Sequence, residues 1–160
     1  MKFVRWRFSN KQTGMKLSVC FICLVASVGF LSADQKITIT GNDKMQFDIK
    51  EFSVKAGKKV ELTFTNAGKL PKLAMGHNLV ILKEGVNPLK FGQKIMGMGA
   101  SPTNPLPKEC LGEVIAATKL LGPGESDKII FTAPTQTGFY QFICSFPGHY
   151  AIMRGVMVVE

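Results

Sequence analysis

The chain has 160 residues, of which 46% are hydrophobic and 19% charged, and a formal net charge of +9. This apolar share is ample for one cored domain and excludes a disordered chain. The charge does not make a nucleic-acid footprint: residues 1–33 hold Lys2, Arg5, Arg7, Lys11 and Lys16 and no acid, and the remaining +4 is scattered as single lysines with no basic run.

Residues 1–33 read as a secretory signal peptide. A basic start precedes an apolar run from Leu17 to Leu31, interrupted only by Ser18, Cys20, Cys23, Ser27 and Gly29. Ser32-Ala33 then offers small residues for cleavage before Asp34, although Leu31 is large for the third position before the cut. Met15 is an alternative start with the same apolar run behind it. The competing reading, an uncleaved anchor, suffers from a run shorter than the roughly 20 residues that span a bilayer. The expected mature domain is 34–160.

From Asp34 onward the pattern is β. Lys36 to Thr40 alternates with period two, and Met45 to Lys50 continues into Phe52 and Val54. Lys59 to Thr65 is the cleanest case, with Val60, Leu62 and Phe64 on one face. Asn78–Leu82, Val114–Thr118, Asp127–Thr132, Gly138–Cys144 and Gly155–Val159 complete about eight short strands. Turn residues such as Gly41-Asn42-Asp43 and Gly122-Pro123-Gly124 separate them. That spacing predicts an all-β sandwich or barrel. Gly85 to Lys108 breaks the rhythm as a surface insertion, with a short helix over about Pro88 to Met96 ended by Gly97. The mature chain keeps two cysteines, Cys110 and Cys144. Cys110 reads as a partly buried thiol in preference to an intermolecular disulfide.

The chemistry concentrates near the C-terminus. Cys144, His149 and Met153 lie within ten residues, and the only other histidine is His77, in Met75-Gly76-His77-Asn78. Two His, one Cys and a weak Met form a blue-copper ligand set. Each residue alone is more often ordinary packing; the conjunction Cys-x4-His-x3-Met plus the remaining His argues for a metal. Zinc shares Cys and His but takes Met poorly as a ligand. If the strand after His77 and the strand before Cys144 are antiparallel neighbours, the ligands meet at one pole. Pro147-Gly148 supplies the reversal that turns His149 inward, and Asn78 is placed to brace the loop through Ser145.

Met75-Gly76-His77-Asn78 and Phe142 to Gly155 resemble the two copper motifs of the azurins, blue-copper proteins of the cupredoxin family. The resemblance extends over Asp34 to Glu160 and includes Gly41 to Phe47, Gly68 to Lys72 and Ala117 to Gly122. It implies an eight-stranded Greek-key β-sandwich with a helical flap around 86–100. It implies one type 1 copper cycling between Cu(I) and Cu(II). His77, Cys144 and His149 would be its strong ligands, with weak axial contacts from Met153 and the Gly76 carbonyl. It further implies electron transfer through His149 and an apolar docking patch of Leu70, Met75, Met98, Phe146, Pro147, Ala151 and Ile152. The expected partners are redox proteins such as c-type cytochromes, and the expected location is the periplasm. The expected form is a monomer without stable membrane association after cleavage, and not an enzyme.

Three departures stand out. No cysteine lies between Asp34 and Phe64 for the disulfide usual in azurins. Leu79 follows Asn78, and the only tryptophan is Trp6, so the family's core tryptophan is absent. Asn66 stands where some azurins carry a pH-responsive histidine. A copper oxidase would need further histidines that the chain lacks. A copper storage or delivery role is the alternative, but Met45, Met75, Met96, Met98, Met153 and Met157 form no compact cluster in sequence.

Overall fold

A computed structural model describes residues 35–160. The leader, with Cys20, Cys23 and Trp6, lies outside the described residues. Two mixed sheets pack face to face. The first has the order β2-β1-β4-β7, from β1 (Gln35–Asn42), β2 (Gln46–Phe47), β4 (Lys59–Asn66) and β7 (Ser126–Thr132). The second has the order β3-β9-β8-β5-β6, from β3 (Glu51–Val54), β5 (Val80–Leu82), β6 (Val114–Ala117), β8 (Gly138–Ile143) and β9 (Arg154–Val159). β1 with β4 and β3 with β9 pair in parallel, and the other pairs are antiparallel.

Alternation places the core. Val60, Leu62 and Phe64 of β4 point inward as their spacing predicts, and meet Phe52, Ile81, Phe142, Met157 and Val159 from the opposite sheet. Burying each such side chain contributes about 1.5–3 kcal/mol.

The segment expected as one strand over 45–54 is divided between the two sheets. Asp48 makes the break. Its carboxylate accepts the N–H groups of Thr40 (2.7 Å) and Ile49 (2.8 Å), and its own N–H goes to the Thr40 carbonyl. Residues 46–47 therefore stay with β1, while 51–54 cross to β9.

The insertion carries α1 (Pro88–Gly97), preceded in the chain by a single helical turn at Lys72–Met75. Asn87 caps α1 by accepting from the N–H groups of Leu89 and Lys90, and Pro88 occupies its first turn. Gly97 is the last helical residue, and Gly99, at φ +81°, turns the chain out of the helix. The N–H of Gly99 bonds to the Met96 carbonyl and that of Ala100 to the Ile95 carbonyl. This left-handed exit satisfies the last carbonyls and needs no Cβ.

The apolar stripe of α1 is not idle surface. Phe91 and Ile95 pack with Val80, Leu82, Ile143 and Cys110 in a second, smaller core on the outer face of the second sheet. Cys110 is a fully buried free thiol there, 3.2 Å from the Met98 sulfur. No helix among the described residues is long and apolar enough to cross a membrane.

Candidate metal centre

The register of β5 and β8 assembles the site. They are antiparallel, with Val80 opposite Ile143 and Ile81 opposite Phe142. The start of one and the end of the other therefore meet at one pole, which brings His77 beside Cys144. The strand begins at Val80 rather than at Asn78, because the residues before it bond elsewhere. His77 pairs with Leu121, N–H to carbonyl in both directions at 3.1 and 2.8 Å. The Leu79 N–H donates to Thr118 Oγ1 at 2.9 Å.

The loop after Cys144 then returns. Gly148 adopts φ +82°, a conformation open to glycine, and starts the 3-10 turn His149–Ala151. The His149 N–H donates to the Phe146 carbonyl, and the His149 carbonyl accepts from Ile152 (3.0 Å) and Met153 (2.8 Å). The Cys144 N–H donates to the Met153 carbonyl at 2.9 Å, which closes the loop on itself.

Three donor atoms face one another. Cys144 Sγ lies 3.9 Å from His77 Nδ1 and 3.6 Å from His149 Nδ1. Among the described residues this trio is the group of His, Cys or acidic side chains arranged to hold a metal ion. A tetrahedral or trigonal ion bonded at about 2.3 Å to sulfur and about 2.0–2.1 Å to nitrogen, as zinc is, holds such atoms about 3.6–3.8 Å apart. The spacing therefore fits a single first-row ion.

The electrostatics agree. Cys144 and His77 are completely buried, and His149 is 4% exposed. Burial pushes the Cys144 thiol up to about 12, opposed by the N–H groups of Asn78 and Phe146 aimed at the sulfur. Burial, with His77 close by, pushes His149 down to about 4. Burial also lowers His77, although the Asn42 carbonyl and Asp43 oppose it. His77 Nε2 is buried without a hydrogen-bond partner. A neutral thiol and two neutral imidazoles, sealed from water, form a soft donor set held ready for a cation.

These shifts predict a pH window for the metal-free protein. Histidines lowered in the fold take up protons first when unfolded, so their stability is present above about 6.5 and is lost as pH falls below it, for His149 toward 4. The raised cysteine works oppositely: stability is present below about 9 and is lost as pH rises toward 12. Urea midpoints of the metal-free protein should therefore form a plateau between these limits and fall on both sides. A midpoint still rising below pH 6 would contradict the assignment.

Asn78 braces the loop as its position suggests. Its Nδ2 donates to Ser145 Oγ and its Oδ1 accepts the Ser145 N–H, both at 2.8 Å. Asn66 is buried, donating to the Leu121 carbonyl at 3.0 Å, and that carbonyl also accepts the His77 N–H. Of the expected patch, Leu70, Met98 and Ile152 are exposed at 45, 45 and 56%. Phe146 is not a surface residue: it is buried, its ring 4.5 Å from that of His149. Leu73, 66% exposed on the turn beside Leu70, is absent from the patch expected from the sequence; its place in Leu70-Pro71-Lys72-Leu73 is the one signal that could have included it.

The sequence profile described as "Copper binding proteins, plastocyanin/azurin family" matches residues 33–160. The azurin of Achromobacter denitrificans is 38% identical over 145 residues, covering 89% of this chain and 95% of that protein. The azurin of Bordetella pertussis is 39% identical over 153 residues, covering 94% and 97%. Among solved structures, dithionite-reduced auracyanin from Roseiflexus castenholzii superposes with TM-score 0.68 at 38% identity, covering 81% of this chain and 99% of that one. The azurin Az-iso2 of Methylomonas sp. strain J gives 0.67 at 29% identity, covering 80% and 99%. With the cupredoxin sandwich, the buried His77–Cys144–His149 trio and these relatives in hand, the chain belongs to the plastocyanin/azurin family of copper-binding proteins as an azurin-like blue-copper protein that holds one copper ion.

Proposed function

We propose that the protein is an exported electron carrier, residues 1–33 being a removable signal peptide and 34–160 the periplasmic copper domain. The proposed ligands are His77 Nδ1, Cys144 Sγ and His149 Nδ1, with Met153 and the Gly76 carbonyl as weak axial contacts. The carrying observation is the buried triangle of one sulfur and two nitrogens at 3.6 and 3.9 Å. When bound, copper supplies the single-electron change between Cu(II) and Cu(I). The protein supplies a site in which little has to move. Asn78 and Ser145, the residue after Cys144, form one hydrogen-bonded unit, and the Phe146 ring shields His149 from water. Such preorganisation keeps rearrangement small when charge arrives or leaves.

We infer docking over the apolar ground formed by Leu70, Leu73, Met75, Met98, Pro147, Ala151 and Ile152, above the buried Phe146. Small redox proteins such as c-type cytochromes suit a brief encounter there. The stretches 96–107 and 144–153 contain no Lys, Arg, Asp or Glu, so apolar contact rather than charge would make this encounter. No enzymatic role is proposed, and the carrier is taken to be a monomer.

Adding Cu(II) to the purified protein tests the reading. It should produce one equivalent of an intensely blue species that a mild reductant bleaches reversibly, and Cys144→Ser should abolish the colour. A colourless, stable complex would instead favour storage or delivery of the ion. Asn66 cannot titrate where some azurins carry a histidine. The reduction potential should therefore stay constant between mildly acidic and neutral pH, and cyclic voltammetry showing a clear shift would contradict this.

A further inference from the structure

The helical flap touches the ligand loop at a glycine. A Cβ built on Gly92 would lie 2.1 Å from both Cγ and Cδ2 of Tyr150, an overlap that close-packed interiors do not admit. The tyrosine ring therefore occupies the notch that Gly92 leaves in α1. Glycine within a helix costs about 1 kcal/mol relative to alanine, so the notch is kept at some expense. Tyr150 directly follows His149 in the same 3-10 turn. At the other end of the loop, Ile143 directly precedes Cys144 and is buried in the same small core as Phe91 and Ile95 of α1, against which Tyr150 also packs. One helix thus grips the loop before Cys144 and after His149. Just past the second grip, Ile152 and Met153 donate to the His149 carbonyl, so a displaced Tyr150 carries both with it.

We propose that α1 is a clamp: Tyr150 seated on Gly92 sets the positions of His149 and Met153 before copper arrives. Gly92 and Tyr150 are positioning residues, and the proposal rests on reading His149 and Met153 as copper ligands. Its test uses the full domain, first without metal. Amide hydrogen exchange at Ile152 and Met153 should speed up about tenfold in Tyr150→Ala and comparably in Gly92→Ala, but stay near native in Tyr150→Phe, which keeps the ring. The double variant should match Tyr150→Ala, because the added methyl no longer meets a ring. After loading, the copper release rate and the reduction potential should follow the same order. Native exchange in Tyr150→Ala, equal loss in Tyr150→Phe, or full additivity in the double variant would each overturn the clamp. If Gly92→Ala does not fold, the two Tyr150 variants decide alone. A native protein that stays colourless with Cu(II) would sink the copper reading, while the metal-free exchange comparison would still decide the clamp.

Discussion

Asn78→Ala is expected to cost about 2–4 kcal/mol of stability and to shift the reduction potential. Asn78 is 1% exposed and Ser145 is fully buried. The asparagine side chain gives one hydrogen bond to Ser145 Oγ and takes one from its N–H, both at 2.8 Å. Truncation strands two buried polar groups, each costing about 1–3 kcal/mol. Relaxation and water entry recover part of that sum. Because Ser145 follows Cys144, the freed segment also carries the sulfur whose environment sets the potential. Denaturant unfolding should show a lower midpoint at unchanged slope, and voltammetry a moved potential. Asn78→Asp keeps an acceptor for the Ser145 N–H and should recover part of the loss. Native values of both midpoint and potential in the alanine variant would refute the bracing role.

Gly155→Ala should destabilise by about 3 kcal/mol, at the upper end of the range for overpacking. A Cβ there would sit 2.3 Å from Phe142 Cζ and 2.5 Å from the Lys50 carbonyl oxygen. Neither neighbour can yield. Phe142 is wedged edge-on against Phe47 at 5.2 Å and tilted against Phe52 at 5.5 Å. The Lys50 carbonyl accepts the Val156 N–H at 2.8 Å, beside the pairing of β3 with β9. Phe142 also lies two residues before Cys144, so a shifted ring reaches the site. Gly97→Ala is the matched control, because a methyl placed there would meet nothing within 4 Å. The control should be neutral or slightly stabilising, and a loss below about 1 kcal/mol in Gly155→Ala would show that the strand pair yields after all.

Much of this fold is legible in the chain. Period-two alternation marks β4 clearly, because one face of that strand meets the core and the other does not. Pro88 marks the start of the helix, since proline tolerates a first turn and little else. The division of 45–54 is hidden, because the alternation continues through it. Only the two N–H groups converging on Asp48 show where the chain changes sheets. The helix pattern points to the nearer of two glycines as its end, and a local pattern cannot say which takes positive φ. The burial of Phe146 is equally invisible, since an aromatic in a ligand loop reads the same whether it faces a partner or a histidine ring.

The donor types of the copper site are a property of the sequence by itself. A chain with two histidines that places one five residues after a cysteine declares soft metal chemistry, because ligand preference resides in side-chain identity. Metal-ready geometry is a property of the tertiary structure alone. Two antiparallel strands bring His77 to Cys144, and burial keeps the thiol and both imidazoles neutral and dry. The contact of Tyr150 with Gly92 belongs there too. It joins a helix to a loop distant in sequence, and such contacts arise from the packing of whole elements rather than from any periodic signal along the chain.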